Sequence, residues 1–255
     1  MKSKHLAANI LREPYTFTYP VFTFLTDHRD RLTPANLANF LQDIAGRHAM
    51  TLGWAVEDLH NAGTTWVLSR IYVEVHYLPM HMKNVIVKTW PTGGERLFAY
   101  RDFEVHTEDG QLVAKGRSAW VVMNLETRRP LFVPDEVKQM AGLYPEPVIQ
   151  FPENKVNGVT EAEASLPIKV RMSDLDRNIH VNNVRFIEWA MESVPTDFYN
   201  SHELTSFDVV FRSEVLQDDD IVVEMQQNDL TTHHTIKKNG KPACMLDINW
   251  RETEF

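Results

Sequence analysis

An internal repeat is the strongest constraint on this chain, because two copies of one unit must adopt the same local structure and bury the same face. Asp30-Arg31-Leu32-Thr33-Pro34-Ala35-Asn36-Leu37-Ala38-Asn39-Phe40 aligns without gaps on Asp176-Arg177-Asn178-Ile179-His180-Val181-Asn182-Asn183-Val184-Arg185-Phe186, with Asp, Arg, Asn and Phe at matching offsets. Each copy continues at helical spacing, through Leu37, Phe40, Leu41, Ile44, Ala45 and His48 in the first and Val184, Ile187, Trp189, Ala190 and Met191 in the second. Strand-like runs follow, Trp66 to Val75 and Phe207 to Val215, with partial alternation of apolar and polar residues. Both copies close on hairpin signals, Asp109-Gly110 and Asn239-Gly240, each followed ten residues after its glycine by a tryptophan, Trp120 and Trp250. Helix first and antiparallel strands after, twice over, predicts an α+β fold in which a helix is wrapped by a sheet. Pro134, Pro145, Pro147 and Pro152 mark an irregular crossing. The expected division is a unit over 1–140, a linker over 141–163 and a unit over 164–255. Gly93-Gly94 reads as a turn.

Composition narrows the class. The 43% apolar and 24% charged content of the 255 residues is that of a packed soluble globule. No apolar run approaches the roughly 18 residues that a membrane span needs. The basic start, Met1-Lys2-Ser3-Lys4, lacks the apolar stretch of a secretory signal. The lone Cys244 excludes an internal disulfide framework and, beside Met245 and Leu246, is expected as a small buried residue. A cytoplasmic location follows as the expectation. A net charge of −9 argues against nucleic acid as a partner. Residues 1–150 carry 16 basic and 16 acidic groups and residues 151–255 carry 10 and 19, so the acidic excess lies in the second part.

Polar groups concentrate between Ser173 and Asn183. Asp176, Asn178 and His180 alternate, and in an extended segment they would share one face. The helix that follows would offer unpaired N–H groups from Val181 onward to a negative oxygen. Capping explains Asp, Asn and Ser before a helix, but not an alternating trio that includes histidine. In the repeat alignment Asn178 and His180 face Leu32 and Pro34, which predicts one site per chain, in the second half. Glu214, inside the apolar run Val209 to Val215, is a fourth candidate as base or water-orienting group. The competing reading is a solvent-facing glutamate paired with Arg212 or Arg185. The histidines show no metal-ligand spacing, and there is neither a glycine-rich phosphate loop nor a nucleophile-elbow serine. No metal and no cofactor are expected.

Three passages carry a family resemblance: Thr65-Trp66-Val67-Leu68-Ser69-Arg70; Ala119 to Pro130 with Val133-Pro134; and Asp174 to Trp189. Together they resemble the acyl-acyl carrier protein thioesterases, tandem hotdog proteins of plant plastids and bacteria, over residues 15–253. The resemblance implies two hotdog units forming a pseudo-dimer, as a monomer or homodimer, with acyl carrier protein as the substrate carrier. It implies an acyl chain held mainly in the first half, where Trp54, Leu59, Trp66, Leu68 and Phe98 would set its depth. The family's Asp-x-Asn-x-His motif falls on Asp176, Asn178 and His180, and its catalytic glutamate on Glu214. Plant members commonly place a cysteine after that glutamate; here the residue is Val215, so attack by water is expected instead. Asp176 and Glu214 remain alternatives as the base. The acidic carrier requires a local basic patch, for which Arg128 and Arg129, with Lys138 nearby, are the candidates. An acyl-CoA thioesterase shares the fold and chemistry, and a non-catalytic acyl-binding hotdog module is a third alternative.

Overall fold

The computed structural model describes residues 13–139 and 146–253. The chain divides into two compact units. One gathers the residues up to Thr33 with Leu37–Ser69 and Leu78–Phe151; the other gathers Pro34–Asn36, Arg70–Tyr77 and the residues from Pro152.

The first unit contains β1 (Tyr15–Pro20), most of α1 (Pro34–Leu52), α2 (Val56–Asn61), the first half of β2 (Thr64–Val75), β3 (Asn84–Glu95), β4 (Phe98–Thr107), β5 (Leu112–Asn124), β6 (Pro130–Leu131) and α3 (Asp135–Gln139). Strands β1, β3, β4 and β5 pair antiparallel in that order, with β6 against β5. The spacing of Leu37, Leu41, Ile44 and Ala45 gives α1 a buried stripe, and that stripe is what the sheet covers. Phe40 stacks on Tyr19 of β1 at 4.5 Å, and the Tyr19 hydroxyl donates to Asp43 at 2.6 Å. Asp109-Gly110 lies in the β4–β5 hairpin, with Gly110 at φ 87°. Gly93-Gly94 is not a free turn. It lies within β3 at a register shift, and a Cβ on Gly94 would meet the Phe98 carbonyl oxygen at 2.7 Å. Only glycine permits that approach. After Pro134, the first of the prolines that mark the crossing, the chain forms the short helix α3.

The second unit contains β7 (Ala164–Ile168), α4 (Asn183–Glu192), α5 (Thr196–Ser201), β8 (His202–Phe211), β9 (Ile221–Asn228), β10 (Thr231–Lys238) and β11 (Lys241–Glu252). Its antiparallel order is β8-β11-β10-β9-β7, and Arg70 to Glu74 of β2 pair with Val210 to Ser206 on the outer side of β8. Asn239 and Gly240 both have positive φ, 50° and 77°, making the two-residue hairpin turn their identities favour. Phe186 of α4 meets Phe211 edge-on at 5.7 Å, and Ser193 bonds the buried His234 at 3.0 Å, so the short helix is fixed to its sheet by packing and by one polar contact. Among the described residues no helix is long and apolar enough to cross a membrane.

Cys244 lies on β11 between Phe211 of β8 and Ile236 of β10, with no accessible surface. Burial raises its thiol pKa well above the ordinary value, which suppresses the reactive thiolate. A disulfide reagent should therefore leave the native protein unlabelled and react fully after denaturation; full labelling under native conditions would contradict this placement.

Candidate active site

The site is built on the loop that leads into α4. A 3-10 turn, Met172–Asp174, ends on Asp174, which is fully buried. Asp174 accepts from the Arg171 backbone at 2.8 Å and from its guanidinium at 2.9 Å, with Arg185 at 3.6 Å. Burial pushes the Asp174 pKa up, but the Arg171 bonds outweigh it and hold the carboxyl below its usual value. A bridge between Leu175 and Val181 then closes a loop. Within it the Asp176 N–H donates to the His180 carbonyl at 2.7 Å and the Ile179 N–H to the Asp176 carbonyl at 3.0 Å. The Asp176 carboxylate accepts from the backbone of Asn178 at 2.8 Å and of His180 at 3.2 Å. Ile179 takes φ 62°, a conformation costly for a β-branched residue, at roughly 1–3 kcal/mol.

The extended segment with three side chains on one face is therefore not formed. Asp176 turns inward and ties the loop, Asn178 is exposed, and His180 is half-buried. An Asp carboxylate that satisfies the N–H groups two and four residues on favours a closed turn over a strand. Asp176→Asn keeps this oxygen acceptor and should change the melting temperature little, whereas Asp176→Ala should cost about 1–2 kcal/mol; equal melting curves for both variants would contradict the loop-tying role.

Glu214 does not lie inside a strand. β8 ends at Phe211, and Glu214 follows in the connection to β9, where Gln217 and Asp218 form a turn. The Val181 N–H donates to the Val215 carbonyl at 2.8 Å, which ties this connection to the loop. Lys238 of β10 donates to the Glu214 carbonyl at 2.9 Å while pairing with Asp219 at 3.0 Å. The result places Glu214 Oε2 3.6 Å from His180 Nε2, with side chains 38% and 28% accessible. That distance exceeds a direct hydrogen bond, so a water to one side of the pair can reach both groups. Arg185, one of the two alternative partners for Glu214, is engaged by Glu188 at 2.5 Å and by Asp174.

The expected run of open N–H groups from Val181 is also not offered. Val181 donates to Val215, Asn182 to the Asp174 carbonyl at 2.8 Å, and Val184 to the Asn182 side chain at 3.1 Å. The Asn182 cap takes up the helix start.

The repeat exists, but its register differs by three residues. Asp27, not Asp30, occupies the place of Asp176. The Asp27 N–H donates to the Arg31 carbonyl at 2.8 Å, its carboxylate accepts from the backbone of Arg29 at 2.9 Å and Arg31 at 3.1 Å, and Asp30 takes φ 64° where Ile179 takes φ 62°. Thr26 bridges Leu32 as Leu175 bridges Val181. The counterparts of Asn178 and His180 are thus Arg29 and Arg31, not Leu32 and Pro34. Identical letters misaligned the copies because one carboxylate and one left-handed residue define this loop, and side-chain identity elsewhere is free.

The acyl-chain candidates are only partly brought together. Trp54 and Trp66 lie with centroids 6.2 Å apart, the Trp66 indole donates to the Trp54 carbonyl at 3.2 Å, and both pack with Trp120 on buried Ala99, Val133 and Val137. Leu68 and Leu59 are buried. Phe98 is exposed at the start of β4, and alternation along the strand turns it away from the face of Ala99. Arg128 and Arg129 lie exposed on the turn between β5 and β6, which Asn124 organises by accepting from the Glu126 and Thr127 backbones at 3.1 and 2.7 Å. Lys138 pairs with Asp135 at 2.8 Å, which offsets its charge. Lys238 is the positioning residue not foreseen from sequence; it is distant in the chain, and its only local signal is its place before the Asn239-Gly240 turn.

A helix against an antiparallel sheet, present twice in one chain, defines a tandem hotdog protein. Residues 12–141 match the acyl-ACP thioesterase N-terminal domain and residues 158–252 the acyl-ACP thioesterase C-terminal domain, so the chain belongs to the acyl-ACP thioesterase family. It is 31% identical over 223 residues to the chloroplastic oleoyl-acyl carrier protein thioesterase 2 of Arabidopsis thaliana, covering 81% of this chain and 60% of that protein. It is 31% identical over 195 residues to the chloroplastic palmitoyl-acyl carrier protein thioesterase of Gossypium hirsutum, covering 71% of this chain and 47% of that one. The chain thus spans less than two thirds of the length of these plant relatives. The solved acyl-ACP thioesterase of Bacteroides thetaiotaomicron superposes with a TM-score of 0.84 at 27% identity, covering 96% of this chain and 99% of that one.

Proposed function

We propose that this protein hydrolyses fatty acyl thioesters of acyl carrier protein to the free fatty acid and the carrier thiol. The observation that carries the reading is the juxtaposition of His180 and Glu214, two groups able to hold and deprotonate one water. Water attacks the thioester carbonyl carbon as Glu214, oriented by His180, takes its proton. The side-chain amide of Asn178 donates to the carbonyl oxygen as negative charge develops there. The tetrahedral intermediate then expels the carrier thiolate, which takes a proton from the Glu214–His180 pair. Asp176 is a positioning residue, because its carboxylate is occupied by backbone N–H groups; this favours Glu214 as the base. Val215 after the glutamate and the burial of Cys244 both speak against a thiol nucleophile. For the acyl chain, the family resemblance points to the first unit, where Trp54, Trp66 and Leu68 are the candidate lining.

A release assay over carrier-protein thioesters of graded chain length, alongside the matching CoA thioesters, tests this reading. The expected result is turnover of carrier substrates with higher kcat/KM than of CoA substrates; the reverse order would make the protein an acyl-CoA thioesterase, and no turnover of either would leave a binding module. Arg128 and Arg129 are proposed to contact the acidic carrier. Reversing both to glutamate should slow hydrolysis of carrier-bound substrate several-fold at low salt, where screening is least, and spare a small acyl thioester. Equal losses on both substrates would assign these arginines to the fold.

A further inference from the structure

The interior of the first unit holds a donor that the proposed hydrolysis does not use. Arg101 lies two residues past Ala99 on the same face of β4, and Ala99 belongs to the cluster on which Trp54, Trp66 and Trp120 pack. Among the described residues no carboxylate pairs with it. Its guanidinium donates instead to His48 Nδ1 at 3.0 Å and to Thr89 Oγ1 at 3.2 Å. His48 sits on the buried stripe of α1 with 1% of its surface accessible, and Tyr15 stacks on its ring at 5.2 Å.

These contacts determine the state of the ring. A guanidinium can only donate, so Nδ1 is the acceptor. Burial, and then the charge of Arg101, lower the His48 pKa to about 3, which keeps the imidazole neutral. Its proton is therefore on Nε2, and that N–H has no acceptor among the described residues. A buried donor of this kind calls for an oxygen. Through Arg101 the donor faces the same side of β4 as Ala99 and its tryptophan cluster, the part of the first unit to which the acyl chain is assigned.

We infer that the Nε2–H of His48 recognises an oxygen substituent on the bound acyl chain, so that the first unit selects chains bearing a hydroxyl group over saturated chains of equal length. The inference rests on the proposed acyl-carrier thioesterase activity, and its test separates the two. Carrier thioesters of one length, saturated or hydroxylated at successive carbons, are compared with the full chain, with His48→Gln and with His48→Phe. Calorimetric binding of the corresponding free acids runs in parallel. The full chain should favour hydroxylation at one or more positions by about tenfold in kcat/KM, equivalent to about 1.4 kcal/mol. His48→Gln should retain the preference, because its amide oxygen can accept from Arg101 while its N–H group donates. His48→Phe should abolish it. Equal rates and affinities across the panel for the unmodified protein would show that the donor meets only a trapped water and would overturn the inference, as would a preference that survives in folded His48→Phe. If no thioester is hydrolysed, the activity reading fails by itself, and the binding comparison alone decides the role of His48.

Discussion

Replacing His180 with alanine is expected to lower kcat on acyl-carrier thioesters by roughly 10²–10⁴-fold, the usual effect of losing a positioned proton-transfer group. The melting temperature should change little. The ring is half-buried and the loop around it is held by backbone bonds of residues 176, 179 and 180 together with the Leu175–Val181 bridge, none of which needs the imidazole. A loss mainly in KM would instead indicate substrate contact without a part in proton transfer. Circular dichroism and thermal melting check the fold, and steady-state kinetics check the chemistry.

The second large effect concerns stability. Arg70 on β2 grips Asp208 on β8 through two bonds, Nε to Oδ1 at 2.9 Å and Nη2 to Oδ2 at 2.5 Å. Burial raises the Asp208 pKa, and the arginine opposes that shift. Removing one partner leaves the other charge desolvated, so Asp208→Ala should cost about 3–5 kcal/mol, a fall in Tm of roughly 10 °C. Replacing both residues by apolar ones of similar volume should recover most of the loss. A fall under about 1 kcal/mol in the single variant would mean that water reaches the pair and screens it. The pair also bears on the site, because β8 ends three residues before Glu214. A looser β8 moves the carboxylate away from His180, so Asp208→Ala should lose activity before it unfolds.

The two predictions show what was legible in the sequence. His180 was legible as a candidate, since a histidine in an Asp-x-Asn-x-His run before a helical pattern has few structural uses, and Glu214 as a fourth candidate in the apolar run that ends at Val215. The face that brings them together was not. Alternation suggested a strand, but alternation cannot show that Asp176 closes the backbone on itself, because that depends on N–H groups two and four residues away. The repeat was legible as α1 and α4 with their hairpins, but matching letters give a register three residues off. Asp30, Arg31, Asn36 and Phe40 matched by letter, while the loop geometry follows Asp27 and the left-handed Asp30. The apolar run that continues through Val215 mimics a strand around Glu214, but Val215 is buried where Val181 donates to its carbonyl, outside any sheet pairing. Arg70 was visible only as part of a motif. Its meaning lies in a partner 138 residues away, which local periodicity cannot report. Phe98 stands apart from the other acyl-chain candidates, because strand alternation turns it outward at the start of β4.

In the proposed mechanism His180 and Glu214 act on one water. The most direct test is a double-mutant cycle on acyl-carrier hydrolysis with His180→Ala, Glu214→Ala and the pair together. If both groups serve the same water, the double variant should be no slower than the slower single variant, because residues that act as a unit are strongly non-additive. Losses that multiply, so that the double variant falls by the product of the two single effects, would show that the two residues work independently and would contradict the account.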